Sequence, residues 1–242
     1  MFDQVRYLLL QVRNADDPMR EHEVESFARV LHGRIDQISV FDLLSNQPHG
    51  NLFEETDVFL LGGSGHYSVA SEGDWLERAL EIMREVHGTK KPTFASCWGF
   101  QAMARAMGGK VVNDLSRAEV GTHSLFLTDA GKVDPVFGPL GESFWGQMGH
   151  EDCVVELPPE TTLLASSNRV TNQAYRFNDR PIYCTQFHPE LARTDLLTRV
   201  ETYPEYVEKI AGMPPDEFKA TVRDTTETEQ LLVRFVSEAL GE

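Results

Sequence analysis

The sequence predicts an α/β fold: a mostly parallel central sheet with helices on both faces, small added antiparallel strands and a helical C-terminal extension. Three observations lead to this prediction. The first half of the chain alternates short apolar runs with segments of helical periodicity, as βαβ units do. The middle carries successive strand-like runs separated by turns. From Ala192 onward the pattern is helical and strongly charged.

The first half contains four short strand-like runs, of which residues 57–61 are continuous in the way that buried parallel strands usually are. Segments with helical spacing lie between them; Leu76, Leu80 and Met83, for example, share one helical face. Because strands and helices alternate, these strands are expected to be parallel. The predicted strands are residues 7–12, 35–41, 57–61 and 93–96, and the predicted helices are residues 21–31, 75–86 and 100–107.

The rest of the chain is predicted to add antiparallel strands and then helices. Pro214 and Pro215 separate the first two C-terminal helices, because proline interrupts a helix interior. No composition shift marks a linker, so residues 1–191 are interpreted as one domain and residues 192–242 as an extension packed on it. The predicted strands are residues 120–127, 153–157, 162–165, 174–177 and 182–187, and the helices are residues 194–210, 216–222 and 226–240.

The composition is that of a globular protein with an acidic surface. Hydrophobic residues make up 41% and charged residues 25%, and the formal net charge is −16. Such a surface repels phosphate backbones, so nucleic acid is not an expected partner. No apolar run approaches the ~20 residues of a membrane span, so no membrane partner is expected. No signal peptide is recognisable, and a cytoplasmic location is expected. Three scattered cysteines without a CxxC pair indicate neither a disulfide framework nor a zinc site, and no metal or cofactor is expected.

Cys97 is the candidate nucleophile. It lies in residues 95–101, which read ASCWGFQ, between a predicted strand and a predicted helix. A thiol at such a turn is exposed at the positive end of a helix. The Trp98 N–H would face a developing oxyanion, and Gln101, four residues after the thiol, would lie on its side of the helix. The alternative is a buried structural thiol, the commoner fate of a cysteine and the one expected for Cys153 and Cys184.

His188 is the candidate base, within residues 186–190, which read QFHPE. Gln186 and His188 are two residues apart on a predicted strand and therefore share a face. Pro189 favours an extended backbone at His188, and Glu190 is placed to hold the imidazole in one tautomer. A cysteine, a histidine and a glutamate can together form a relay for acyl transfer. The alternative is a structural histidine beside a carboxylate.

A glycine-rich turn, residues 62–65 with the sequence GGSG, follows the third predicted strand. One interpretation is that the turn brings backbone N–H groups near an acyl oxygen. A phosphate-binding loop is disfavoured, because the turn lacks the Lys-Ser/Thr ending of a P-loop and does not match GxGxxG. A plain strand-to-helix turn is the remaining alternative.

These segments resemble the class I, triad-type glutamine amidotransferases, and especially the amidotransferase domain of GMP synthase. The nucleophile segment is similar to the family motif Gly-x-Cys-x-Gly-x-Gln, and the QFHPE segment matches the family's base motif in full. The resemblance runs from about Tyr7 to Leu191 and implies a flavodoxin-like fold. Departures are Ala95 in place of glycine, Ser64 and Gly65 in place of proline after the glycine pair, and a bulky Trp98.

The resemblance implies a role for each site residue. It makes Cys97 the nucleophile, His188 the general base and acid, and Glu190 the residue that orients the imidazole. Residues 148–152, MGHED, are similar to a Met-Ser-His-Gly-Asp stretch of GMP synthases and suggest that His150 lies near the substrate. The remaining implied roles are oxyanion donors at Gly63 and Trp98 and a substrate-positioning amide at Gln101.

Three functions remain open at this point. The first is a stand-alone glutamine amidotransferase that releases ammonia to a partner, such as a synthetase subunit or a second copy. The second is a γ-glutamyl peptidase or hydrolase, favoured because the chain shows neither the Ser-Gly-Gly-x-Asp-Ser loop of an ATP-pyrophosphatase domain nor a P-loop. The third is a non-catalytic regulatory module on the same scaffold. The expected substrate is glutamine or another γ-glutamyl small molecule.

Overall fold

A nine-stranded sheet forms the centre of the computed structural model, which describes residues 2, 4–45 and 47–241. Its strand order is β2-β1-β3-β4-β11-β10-β9-β6-β7, and β5 and β8 form a separate antiparallel pair. The strands are β1 (Tyr7–Gln11), β2 (Ile38–Asp42), β3 (Val58–Leu61), β4 (Thr93–Ser96), β5 (Lys110–Asn113), β6 (Glu119–Leu127), β7 (Ser143–His150), β8 (Asp152–Glu156), β9 (Thr161–Ser166), β10 (Ala174–Phe177) and β11 (Ile182–Thr185).

The sheet has a parallel and an antiparallel half. Strands β2, β1, β3, β4 and β11 are mutually parallel, whereas β10, β9, β6 and β7 continue the sheet in antiparallel fashion. The predicted α/β class is therefore confirmed, including the added antiparallel strands. The helices are α1 (Met19–Val30), α2 (Leu52–Glu55), α3 (Asp74–Thr89), α4 (Trp98–Ala106), α5 (Asp129–Val133), α6 (Arg193–Thr202), α7 (Pro215–Thr221) and α8 (Thr226–Leu240).

Local sequence explains where the parallel elements form. The four residues of β3 and of β4 are all buried, in keeping with strands covered on both faces. Helix α3 buries one stripe that includes Leu76, Leu80 and Met83. It ends where Lys90 adopts the left-handed conformation, with φ 61°, two residues before Pro92.

Helices cover both faces of the sheet. On one face, α3 and α4 pack on apolar side chains such as Phe59 and Tyr175. On the other face, α1 and α8 pack on side chains that include Phe94 and Tyr183. A third apolar cluster joins Val120 of β6 to the C-terminal segment. No helix among residues 2, 4–45 and 47–241 is long and apolar enough to cross a membrane.

Most other predicted elements differ from the observed ones only at their ends, and three of the differences are instructive. The helix expected over 194–210 is interrupted at Tyr203, because Pro204 follows; α6 precedes the break and a π-helical turn, Val207–Ala211, comes after it. The strand expected over 182–187 ends at Thr185, because the backbone N–H of His188 pairs with Gln147 of β7 instead of following β4. The strand expected over 35–41 begins with a 3₁₀ turn, Ile35–Gln37.

Candidate active site

The predicted site residues meet at one edge of the sheet. The segments with Gly62, Cys97 and Gln186 directly follow β3, β4 and β11, and the carboxyl ends of these parallel strands lie side by side. Ligands of open α/β sheets bind at this edge. A cavity of about 360 Å³ opens there, and its lining includes six of the seven predicted site residues: Gly63, Cys97, Trp98, Gln101, His150 and His188. The seventh, Glu190, is fully buried.

Cys97 occupies a sharp turn between β4 and α4. Its backbone has φ 51° and ψ −103°, a conformation that non-glycine residues rarely adopt. Gly99 lets α4 pack closely on the sheet, because a Cβ at this position would lie 2.5 Å from the Leu61 Cβ. Cys97 is 7% exposed, and its Sγ donates to the Gly149 carbonyl at 3.6 Å.

His188 and Glu190 form a short buried pair. His188 Nδ1 lies 2.6 Å from Glu190 Oε1, and the two residues are 4% and 0% exposed. Since a carboxylate only accepts, this contact places a proton on Nδ1 and leaves Nε2 for another partner. Burial lowers the pKa of His188, but the charges of Glu190 and Cys97 and hydrogen bonds with both raise it to about 9. The imidazole is therefore stabilised as an imidazolium.

Glu190 is held in its charged form by the same pair. Burial raises the pKa of this carboxyl, and the positive charge of His188, together with its hydrogen bond, more than offsets that effect and lowers the pKa below its usual range. Arg29 donates from Nη2 to the Glu190 carbonyl at 2.9 Å and fixes the backbone. The pair consequently has the geometry and charge of a histidine oriented by a carboxylate.

The two predicted oxyanion donors differ in their surroundings. The backbone N–H of Trp98, the first residue of α4, makes no hydrogen bond within the described part of the chain. The Gly63 N–H, in contrast, donates to Glu23 Oε1 at 3.0 Å. A role for Gly63 as an oxyanion donor therefore stays a prediction, and it requires the exchange of this bond. The glycine turn is tied to α4 by the bond from Gly99 N–H to the Gly62 carbonyl, 3.2 Å long.

Gln101 lies in the cavity wall with both amide protons engaged. Its Nε2 donates to the Asp152 carbonyl at 2.9 Å and to Gln186 Oε1 at 3.2 Å. The side-chain oxygen of Gln101, Oε1, is thus the group left for a ligand. The Asp152 side chain organises the same wall, because its Oδ2 accepts from the backbone of Val69 at 2.8 Å.

His150 belongs to a buried polar network. Its Nδ1 contacts the Asp152 carbonyl at 3.0 Å and its Nε2 contacts Glu119 Oε2 at 3.2 Å. Both ring nitrogens therefore face acceptors, which makes His150 a positioning element of the cavity wall. Burial raises the pKa of Glu119, and the hydrogen bond and charge of His150 lower it by more. The expected closeness of His150 to a substrate remains a prediction.

Three charged residues of the site were not anticipated. Arg13 follows β1 at the same sheet edge, a position from which it could have been inferred. Its guanidinium pairs with Glu23 at 3.2 Å, and both are buried. Arg199 comes from α6 and lines the cavity. A charged helix gives no sequence signal that one of its arginines turns inward.

Comparison with known proteins places the chain in a family. The family model described as class-I glutamine amidotransferase matches residues 29–200. The chain belongs to this family. The resemblance drawn from the motifs around Cys97 and His188 is thereby confirmed.

The curated relatives include proteins named as γ-glutamyl peptidases and proteins named as GMP synthases. The chain is 29% identical over 201 residues to gamma-glutamyl peptidase 3 of Arabidopsis thaliana, covering 81% of this chain and 77% of that protein. It is 29% identical over 153 residues to the glutamine-hydrolyzing GMP synthase subunit of Methanothermobacter thermautotrophicus, covering 63% and 71%. A solved glutamine amidotransferase from Thermotoga maritima shares the fold with TM-score 0.75 and 19% identity, over 98% of this chain and 99% of that one.

Proposed function

We propose that this amidotransferase-family protein hydrolyses the side-chain amide of glutamine, or of another γ-glutamyl compound, through a thioester on Cys97. The observation that carries the proposal is a thiol at the start of α4, facing a cavity beside an imidazole that Glu190 holds at 2.6 Å. This combination supplies a nucleophile, an acid–base group and an orienting carboxylate.

Acylation follows from this geometry. The Cys97 thiolate attacks the amide carbon, and the carbonyl oxygen becomes an oxyanion that the Trp98 N–H faces. The carbon–nitrogen bond then breaks, and the His188 imidazolium gives its proton to the departing nitrogen. The products of this half-reaction are an amine, which is ammonia when glutamine is the substrate, and a γ-glutamyl thioester.

Deacylation uses the same histidine in reverse. Neutral His188 takes a proton from water, and the resulting hydroxide attacks the thioester carbon. The carbon–sulfur bond breaks, the thiolate is regenerated next to the imidazolium, and the γ-carboxylate leaves. Glu190 stays ionised throughout and stabilises the imidazolium.

The first candidate is a glutaminase whose ammonia passes to an acceptor on a partner. The similarity to the GMP synthase subunit of Methanothermobacter thermautotrophicus supports it, because the name of that protein describes a glutamine-hydrolysing component. In this case a synthetase subunit or a second copy would receive the ammonia at its own site.

The second candidate is a γ-glutamyl peptidase that transfers no ammonia. It is favoured by one observation: the similarity to gamma-glutamyl peptidase 3 covers most of both chains, and more of this chain than the similarity to the synthase subunit does. The chemistry at Cys97 is the same, and the leaving amine is a peptide rather than ammonia.

A substrate panel tests the proposal. Purified protein is incubated with glutamine and with γ-glutamyl dipeptides, and release of ammonia or of the second amino acid is measured. We expect turnover of at least one class and a loss of about 10³-fold or more in Cys97→Ala, as for other covalent nucleophiles. Absence of turnover, together with no labelling of Cys97 by a glutamine-analogue electrophile, would favour a non-catalytic module.

A further inference from the structure

Arg199 is a buried guanidinium that lacks hydrogen-bond partners. It is 8% exposed, it lines the cavity, and its Nε and Nη2 make no hydrogen bond among the residues that the structure describes. Its nearest carboxylate oxygens, on Glu23 and Glu190, are each 3.9 Å away, beyond hydrogen-bond distance.

Neither neighbouring carboxylate bonds to Arg199. Glu23 accepts from Arg13, Gln11 and the Gly63 N–H. Glu190 accepts from His188 through Oε1, and its Oε2 makes no hydrogen bond among the described residues. A buried charge without hydrogen bonds is unfavourable, so an anion in the cavity would stabilise Arg199. Burial and the nearby charge of Arg13 lower the pKa of Arg199 by more than the charges of Glu23, Glu190 and Cys97 raise it.

The guanidinium lies next to the proposed reaction centre. The position that a Cβ on Gly63 would occupy is 3.2 Å from His188 Cε1 and 3.6 Å from Arg199 Nη1. An anion bound by Arg199 is therefore close to the glycine turn and the imidazole. In a γ-glutamyl compound only two methylenes separate the reacting amide carbon from the α-carbon, whereas a carboxylate on the departing amine lies on the far side of the scissile bond.

We propose that Arg199 binds the α-carboxylate of the γ-glutamyl substrate and thereby selects compounds in which that carboxylate is free. This inference rests on the proposed function and names its substrate class. A guanidinium suits the role, because its planar N–H groups match a carboxylate in two parallel hydrogen bonds. Arg199 lies on α6, so the group that binds the carboxylate would come from outside the motifs around Cys97 and His188.

The test compares two substrates that differ only at this group. One is γ-L-glutamyl-p-nitroanilide, and the other is its α-amide, in which a neutral amide replaces the carboxylate. The ratio of their kcat/KM values does not depend on the fraction of folded enzyme. We expect wild-type protein to favour the carboxylate by about tenfold or more, the effect of a charged hydrogen bond, and Arg199→Gln to bring the ratio close to one. Arg199→Lys should restore part of the preference.

Arg193→Gln is the matched control. Arg193 lies on the same helix, but its guanidinium donates to the carbonyls of Val222 and Lys219, so its loss should leave the ratio unchanged. An unchanged ratio in Arg199→Gln would overturn the inference while hydrolysis still supports the proposed function. If wild-type protein hydrolyses neither substrate, the panel of glutamine and γ-glutamyl dipeptides, together with labelling of Cys97, decides the proposed function. Calorimetric binding of L-glutamine and of its α-amide to Cys97→Ala, with and without Arg199→Gln, then decides the inference: equal affinities in the Arg199 protein overturn it.

Discussion

The backbone of Cys97 is strained, and the surrounding structure holds it in place. Its N–H donates to the Thr185 carbonyl at 2.8 Å, and its own carbonyl accepts from the Gln101 N–H at 3.1 Å. Residues in such sparsely populated conformations persist where neighbouring contacts over-determine them, and they are concentrated at functional sites. The strain therefore gives an argument for the proposed nucleophile that does not depend on any sequence motif.

A pH profile tests the charge state of His188. Its pKa is raised from 6.5 to about 9, with the charge of Glu190 as the largest cause that raises it. Because the imidazolium must protonate the departing nitrogen, we expect kcat/KM for a γ-glutamyl amide to fall as the pH rises through about 9. Protonation of His188 in the folded state also adds to the free energy of unfolding. This contribution is fully present below pH 6.5 and is lost as the pH rises from 6.5 to about 9.

Glu190→Gln provides the comparison for this profile. Removing the carboxylate charge lowers the pKa of His188, so the descending limb should move to lower pH and the maximal rate should fall. A limb that stays at the same pH in Glu190→Gln would mean that a group other than His188 limits the rate at high pH.

At the scale of elements, local pattern predicted the parallel strands and the nucleophile turn well. Residues 93–96 and 174–177 are strands with the predicted bounds, and residues 226–240 form the predicted helix. The two strands are short and rich in apolar or aromatic residues, and the helix has a clear helical period, so tertiary contacts reinforce the local preference. The Cys97 turn was also predictable, because a short strand runs directly into a helix with Gly99 near its start.

Long-range contacts decided the parts that were missed. The chain bends away after β11 because the His188 N–H finds its acceptor, the Gln147 carbonyl, on β7, 41 residues earlier in the chain, and no local pattern records this contact. Edge strand β7 carries three glycine or glutamine residues within its last five positions, so its composition gives no strand signal. The inward orientation of Arg199 depends on where α6 docks, so it too required the structure.

Gly99 gives a prediction about the packing of α4 against β3. In Gly99→Ala the new methyl would lie 2.5 Å from the Leu61 Cβ and 3.2 Å from the Ala95 Cβ, and both neighbours belong to buried strands. We expect a loss of about 1–3 kcal/mol in the free energy of unfolding, measured by urea denaturation.

Gly88→Ala is the control for the glycine substitution. A Cβ at Gly88, in α3, would meet no atom within 4 Å, so this variant should be unchanged or more stable by up to about 1 kcal/mol. Equal destabilisation of the two variants would contradict the close approach of α4 to the sheet.

At the scale of the whole molecule, the C-terminal segment is joined to both the core and the candidate site. Arg29 of α1 contacts Asp195 of α6 and Glu229 of α8, each at 2.6 Å, and also holds the Glu190 carbonyl. Phe235 of α8 is fully buried, with its ring centroid 5.3 Å from that of Phe94 in β4. Helix α8 therefore completes one face of the central sheet, and the described part of the extension, residues 192–241, is more than a surface appendage.

This packing predicts that residues 1–191 do not fold by themselves. Without α8 the sheet face around Phe94 and Tyr183 would be exposed to water, and the Arg29 ion pairs would be lost. A chain ending at residue 191 should show no cooperative urea transition, and Phe235→Ala in the full chain should lose about 3–5 kcal/mol of unfolding free energy. Gln230→Ala, at an exposed position of the same helix, should be close to wild type. A cooperative transition in the 1–191 fragment would instead show that the extension is dispensable for folding. The extension would then contribute residues to the cavity without being needed for the fold of the core.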